Sequence, residues 1–576
     1  MYTCIKIRFG MKKLLLLSLS IFGLSFVNAQ SEKFEWAKNL GGGYADFGYS
    51  IAVDVSGNVF TTGVFTDTAD FDPGTAKFNL KTSGANDIFI SKLDATGKFV
   101  WAKKIGGATN DAGYAIALDG TGNAIITGGF TGTVDFDPGI GVSNLTASGS
   151  VMDIFIAKFD PNGTLIWAKS IGGSLTDYGS SLAIDATGNI YSTGFFYSTV
   201  DFDPDATAIV NLSSAGNSDI FILKLNSAGR FVWAKSIGSA SADAGRSIAL
   251  DANNNVYTTG SFSVTADFDP GLTEFKLTTV GGSDIFVSKL DASGNFVWAK
   301  SMGGSSNEEG TSIVSNNAGQ SVITGQFLAT VDFNPGTGTT NLTSIGDKDI
   351  FILKLDGSGN MAWVKQIGGL LTDLGLSLAL DSKDNIYTTG SFKGTVDFDP
   401  GTAKLELTSL GTEDVYIVKL DASGSYIWAK KIGETGSDVA QSIAVSKTKS
   451  DIYVTGYFSG TVDFDPDATR TDMASNGLSD IFVEKIIANL GAIPLSTIDD
   501  ITFYPNPTHE IVYLNFGQHN TKEINIQVIN STGQLVLTLS DVQDSKINLH
   551  TLPSGLYNVN VFYKNQSVAS QRILKI

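Results

Sequence analysis

The sequence predicts an all-β chain: a seven-bladed β-propeller of four-stranded blades, followed by a small antiparallel β-sandwich. The first observation is a cassette of about 65 residues that recurs seven times. All seven tryptophans hold one place in it: Trp36, Trp101, Trp167, Trp233, Trp298, Trp363 and Trp428, at steps of 65, 66, 66, 65, 65 and 65 residues. The second is Asp-Phe-Asp-Pro on the same beat, at Asp70–Pro73, Asp135–Pro138, Asp201–Pro204, Asp267–Pro270, Asp332–Pro335 (with Asn334), Asp397–Pro400 and Asp463–Pro466. So strict a period means one supersecondary unit stacked many times, each copy burying its apolar face on its neighbours.

Within residues 44–105, Tyr49–Asp54 alternates apolar and small residues as a strand does. Asp54–Asn58 is a turn, since Asp can bond its own backbone two residues on and Gly57 accepts positive φ. Val59–Phe65 is a second strand, and Gly63 in it marks a place where another backbone comes close. A long connection carries Asp70-Phe71-Asp72-Pro73-Gly74. Ile88–Leu93 is a third strand, Asp94–Gly97 a second turn, and Phe99–Lys103 a fourth strand holding Trp101. Four antiparallel strands per repeat is the pattern of a propeller blade.

The ends of the array point to closure. Phe34-Glu35-Trp36-Ala37-Lys38 reads as an orphan fourth strand, and the last cassette has a third strand, Ile481–Lys485, with no Trp-Ala-Lys strand after it. The first segment is therefore expected to complete the last blade and remove the free sheet edge.

Formal charge is −19 and the pI is about 4.6, so the clustered Lys and Arg that phosphate contacts need are missing and nucleic acid is excluded as a partner. Residues 1–29 read as a signal peptide with translation starting at Met11. Lys12 and Lys13 form its basic region, Leu14–Phe26 its apolar stretch, and Val27-Asn28-Ala29 its cleavage site. The single cysteine, Cys4, lies ahead of it, so the mature chain is expected to lack disulfides and thiol chemistry. No later segment is apolar for long enough to span a bilayer as a helix. Residues 30–487 then form the propeller, 488–500 a linker and 501–576 a separate C-terminal domain. A monomer is expected.

Gly106-Gly107, Asp111, Ile116-Ala117-Leu118-Asp119, Gly122-Asn123 and Thr127-Gly128 resemble the bacterial SBBP β-propeller repeat. The likeness recurs over about residues 34–487, departing where Ser315 and Ser446 replace the turn Asp and where Glu308-Glu309 stand near the usual Asp. It implies a propeller in an exported bacterial protein and no specific activity. The tail resembles the type A C-terminal sorting domain of the type IX secretion system. The likeness rests on Tyr504-Pro505-Asn506-Pro507, the Gly533 turn, Gly555 and Tyr557 of Leu-Pro-Ser-Gly-Leu-Tyr, and Lys575 in the final strand. It implies passage through the periplasm, recognition by the outer-membrane translocon and delivery to the cell surface or medium.

Catalytic signals are sparse. His509, His519 and His550 all lie in the tail, so His-based acid–base pairs, triads and metal sites are excluded from the propeller. Arg230, Arg246 and Arg470, its only arginines, occupy dissimilar repeat positions and make no arginine triad. The Asp-x-Asp acids are calcium candidates: Asp70, Asp72, Asp135, Asp137, Asp201, Asp203, Asp267, Asp269, Asp332, Asp397, Asp399, Asp463 and Asp465, with Asp87 and its equivalents as further oxygens. Turn chemistry explains the same acids better, because Asp-Pro-Gly reverses the chain and Asp side chains accept backbone N–H bonds. The tryptophans read as packing devices more than sugar platforms. The expected function is a binding, adhesion or structural module without catalysis, with a glycan or protein as ligand. The alternative is a polysaccharide hydrolase or lyase using carboxylates at the propeller mouth, which would need unrepeated acids converging on a pocket.

Overall fold

A computed structural model of the protein describes residues 32–149, 151–205, 208–465, 470–487, 502–515, 524–530, 535–539, 546–563 and 566–576. The signal peptide, the linker, Pro466 and Gly533 lie outside them. The described chain is all-β.

Each cassette is an antiparallel sheet. In the first, Phe47–Val53, Val59–Asp70, Asn79–Leu93 and Phe99–Ile105 pair in that order. In the last, Val439–Val445, Ile452–Phe458 and Asp480–Ile487 pair in order, and the fourth place is taken by Lys33–Gly42, with Trp36 opposite Lys485 and Leu40 opposite Ile481. First strands of successive cassettes pack side by side, and Val439–Val445 packs back on Phe47–Val53. Serine hydroxyls stitch them: Ser50 Oγ accepts the N–H of Ile116 at 3.1 Å, and Ser442 of the last cassette accepts that of Ile51 in the first at 3.3 Å.

The core lies between cassettes. Phe60, Ile88 and Ile90 of the first pack with Ile126, Phe136 and Phe155 of the second. The junction of last and first is built alike, from Trp36, Tyr453 and Ile481 with Ile51, Phe71 and Phe89. Burying side chains of this size stabilises by ~1.5–3 kcal/mol each. Gly63 sits where a Cβ would come within 1.9 Å of the Phe47 carbonyl oxygen, as its place in the strand predicts.

The long connection differs from expectation. It is a hairpin arm: the second strand runs on to Asp70 and pairs with Asn79–Lys81 after a register shift at Thr66/Thr68. The kink between blade and arm is left-handed in every cassette, at Asp67, Gly132, Ser198, Val264, Ala329, Gly394 and Gly460, with φ from 51° to 77°. Four of these are not glycine, which hides the kink from a search for turn residues.

In the tail, Thr502–Tyr504, Ile511–Asn515 and Lys546–Asn548 form one sheet. Ile524–Asn530, Leu535–Leu539, Gly555–Tyr563 and Gln566–Lys575 form a second. Val512 and Ile547 of the first share a core with Ile526, Val559 and Ile573 of the second.

Candidate functional site

The Asp-x-Asp acids sit at the tips of the hairpin arms, facing backbone. Asp70 Oδ1 accepts the N–H groups of Asp72 (3.1 Å) and Phe78 (2.9 Å), and Asp72 Oδ1 accepts that of Gly74 (2.8 Å). Asp135, Asp201, Asp267, Asp332, Asp397 and Asp463 repeat the first pattern. Asn334 makes the second-acid bond with its amide oxygen, to Gly336 at 2.9 Å. The Phe between the acids is buried and meets two other rings, as Phe71 does with Phe65 (5.4 Å) and Phe89 (5.0 Å). The acids thus carry out turn chemistry. Among the described residues no three His, Cys, Asp or Glu side chains come together as a metal site.

A second set of acids is buried between cassettes. Asp111 accepts the N–H groups of Gly107 (2.7 Å) and Thr131 (2.9 Å), while Asp87 lies against Gly106, where a Cβ would meet its carboxyl at 2.3 Å. This pair explains the Gly-Gly and Asp of the repeat: the glycine leaves room for one carboxylate and its neighbour holds the other. Burial pushes the carboxyl of Asp111 up to about 6 and those of its equivalents Asp177, Asp373 and Asp438 to about 7.

The tryptophans bridge cassettes. Indole N–H groups donate to the third-to-fourth strand turn of the next cassette, from Trp101 to Pro161 O (3.1 Å) and from Trp298 to Gly357 O (3.2 Å). Trp36 does the same to Ala95 O at 3.3 Å. In the tail, Asn506 bonds the backbone of Arg572 and Leu574, Tyr557 donates to Pro553 O, and buried Lys575 donates to the carbonyls of Leu549, His550 and Leu552. The sorting motif joins the start of this domain to its last strand. Tyr504 is exposed and stacks on Tyr513, and Gly555 opens a strand.

Sequence reasoning did not single out one set of positions at which the cassettes disagree. Glycine recurs at Gly48 and its equivalents except Ala440, yet the next residue varies: Tyr49, Tyr114, Ser180, Arg246, Thr311, Leu376 and Gln441. Positions equivalent to Phe47 and Val64 vary as freely, giving Tyr178, Glu309, Phe195 and Gln326. All of these but Leu376 and Gln326 line one cavity of about 600 Å³, with Tyr49, Tyr114, Tyr178, Phe195, Arg246 and Glu309 among its walls. A second cavity, of about 450 Å³, shares Phe195, Arg246 and Glu309 with it. Comparing the seven copies position by position is the signal that finds these positions.

One wall of the cavity is aromatic. Tyr49 and Tyr114 lie 5.6 Å apart, Tyr114 and Tyr178 5.8 Å, and Tyr178 and Phe195 5.0 Å. The other wall is polar: Arg246 Nε donates to Glu309 Oε1 at 2.6 Å, and Gln326 donates to Glu309 Oε2 at 3.0 Å. Burial raises the phenols of Tyr49 and Tyr114 and lifts Glu308, beside the second cavity, to about 7.

Residues 502–575 match the family described as secretion system C-terminal sorting domain, and residues 35–64 and 362–391 match the β-propeller repeat of the SBBP type. The chain carries both, as its motifs predict, and is accordingly exported to the cell surface or secreted. An uncharacterised WD repeat-containing protein of Acanthamoeba polyphaga mimivirus is 26% identical over 437 residues, 63% of this chain and 31% of the relative. Regulatory protein FlaEY of Caulobacter vibrioides is 25% identical over 210 residues, 35% of this chain and 21% of the relative. The chain thus spans less than a third of either. Sqt1 from Chaetomium thermophilum covers 80% of this chain and all of its own at 11% identity and TM-score 0.35. The extracellular domain of the hybrid two component system BT4673 from B. thetaiotaomicron covers 92% and 87% at 12% identity and TM-score 0.16. Scores this low carry no argument about function. No helix among the described residues is long and apolar enough to cross a membrane.

Proposed function

We propose that the protein is an exported binding module: a closed ring of seven blades that holds a ligand in its axial cavity, without catalysis, and is delivered by a sandwich-like tail that the type IX translocon recognises. One observation carries the reading. Nine residues at positions that differ between copies line one cavity, while the Trp and the Asp-Phe-Asp/Asn-Pro tip recur in all seven copies. Divergence along a cavity wall suits a site adapted to one ligand. Ring closure is supported by the pairing of Lys33–Gly42 with Asp480–Ile487.

The hydrolase or lyase alternative draws less support. Glu309 is held by Arg246 and Gln326, and Glu308 and Asp243, which line the second cavity, are buried, so among the described residues no exposed acid pair faces the first cavity. The test is an array of soluble polysaccharides, glycopeptides and peptides probed with the mature chain and with Tyr114→Ala. The reading expects a ligand whose binding the substitution abolishes. Binding that ignores every cavity substitution would contradict it.

A further inference from the structure

Resting on that reading, we infer that the axial cavity takes a neutral oligosaccharide, stacked on Tyr49, Tyr114 and Tyr178 and read through its hydroxyls by Arg246, Glu309 and Gln441. Three features of the cavity select this class. Its aromatic wall offers three amphipathic rings in an arc, and such rings suit a ligand with alternating apolar C–H faces and polar edges.

Most of its polar side chains carry uncommitted groups, Glu309 and Thr311 being the ones already bonded. The hydroxyls of the three tyrosines and of Ser180, the Gln441 amide and the Nη groups of Arg246 make no hydrogen bond to another described residue. Packed cores do not keep so many free donors and acceptors together, and a ligand that both donates and accepts at many points satisfies them. The Arg246 side chain is 42% exposed, with only its Nε spent on Glu309. Its remaining N–H groups and the Glu309 carboxylate stand side by side as donor and acceptor, the arrangement that grips neighbouring hydroxyls.

Charge then excludes the acidic sugars. Arg246 is neutralised by Glu309, and the chain carries −19 overall. An anion would enter against that field with a single cation already taken. Lys348 lines only the second cavity. The volume of about 600 Å³ lies in the range that encloses small-molecule ligands and is too small for a folded partner.

The experiment titrates the mature full-length chain by calorimetry and saturation-transfer NMR with cellotriose, xylotriose and mannotriose, with trigalacturonate as the acidic arm and a tyrosine-containing tripeptide as the peptide arm. At least one neutral trisaccharide binds, Tyr114→Ala weakens it about tenfold, equivalent to ~1.4 kcal/mol, and Gln441→Ala weakens it several-fold, with melting temperatures unchanged. If Tyr114→Ala fails to fold, Ser180→Trp, which fills the cavity, abolishes binding instead. Tighter binding of trigalacturonate or the tripeptide, still lost in Tyr114→Ala, overturns the neutral-sugar class and leaves the axial-binding reading standing. Neutral-sugar binding that none of the three substitutions alters overturns this inference and counts against that reading as well. No binding of any neutral trisaccharide overturns this inference alone.

Discussion

Lys419 donates to the carboxylate of Glu32, 387 positions earlier in the chain, and both side chains are almost wholly buried. Equivalent lysines elsewhere donate to a turn carbonyl of the next cassette, as Lys92 does to Pro161 O at 2.9 Å and Lys354 to Ala422 O at 2.9 Å. The seventh cassette has no such turn, because its third and fourth strands come from opposite ends of the chain. Glu32 supplies the missing acceptor. The indole of Trp428, which faces the same gap, has no hydrogen-bond partner among the described residues.

Glu32→Ala should therefore cost about 3 kcal/mol, since removing one partner strands a buried charge. Urea unfolding of the mature chain measures it. A loss under about 0.5 kcal/mol, the level of an exposed ion pair, would mean that the contact closes nothing.

Stability should fall between pH 5 and pH 8. The carboxyls of Asp46, Asp177, Asp373 and Asp438 are raised by burial from the ordinary 3.8 to about 7. Folding favours their protonated forms, so their contribution is fully present below about pH 4 and is lost as pH rises through about 7. Acids lowered by hydrogen bonds, such as Asp119 and Asp160, act in the opposite sense below pH 4 and leave this window alone. The fall in melting temperature should persist in 0.5 M salt, which screens surface charges and not buried ones. A rise across the window would contradict the assignment.

Calcium is tested by melting the protein with and without EDTA. Asp70 and Asp72 spend their Oδ1 atoms on backbone N–H groups, and Asn334 replaces an acid without changing the turn. Turn chemistry therefore predicts one melting temperature under both conditions. A calcium-dependent rise of several degrees would show that these acids ligate after all.

Val264 holds a φ of 51° at the kink where Gly132, Gly394 and Gly460 stand in other cassettes. A β-branched residue in this region is strained by about 1–3 kcal/mol. Val264→Gly should stabilise by about 1 kcal/mol and Gly132→Val should destabilise by a similar amount or more, read from denaturant midpoints. Equal effects of the same sign would refute the strain.

Much of this was legible because repetition amplifies weak signals. One Asp-Phe-Asp-Pro is ambiguous; seven in register define a turn, though not the hairpin arm that carries it. The tail was legible through motifs that its own hydrogen bonds explain, Asn506 to the last strand and Lys575 to three carbonyls. The cavity stayed hidden for the converse reason. Tyr49, Arg246 and Glu309 are far apart in sequence and lie at positions where the pattern lapses, so only their convergence in space marks them. The pairing of Asp87 with Asp111 was equally invisible, since nothing in the repeat shows that packing desolvates both.

Closure of the ring is tested most directly by a disulfide across the seam. Lys33 and Ile487 are directly opposed across the two strands that would join the chain's ends. With Lys33→Cys and Ile487→Cys in the mature chain, a closed ring predicts spontaneous formation of one intramolecular disulfide and a higher melting temperature. Two free thiols in a protein that is otherwise folded would contradict closure.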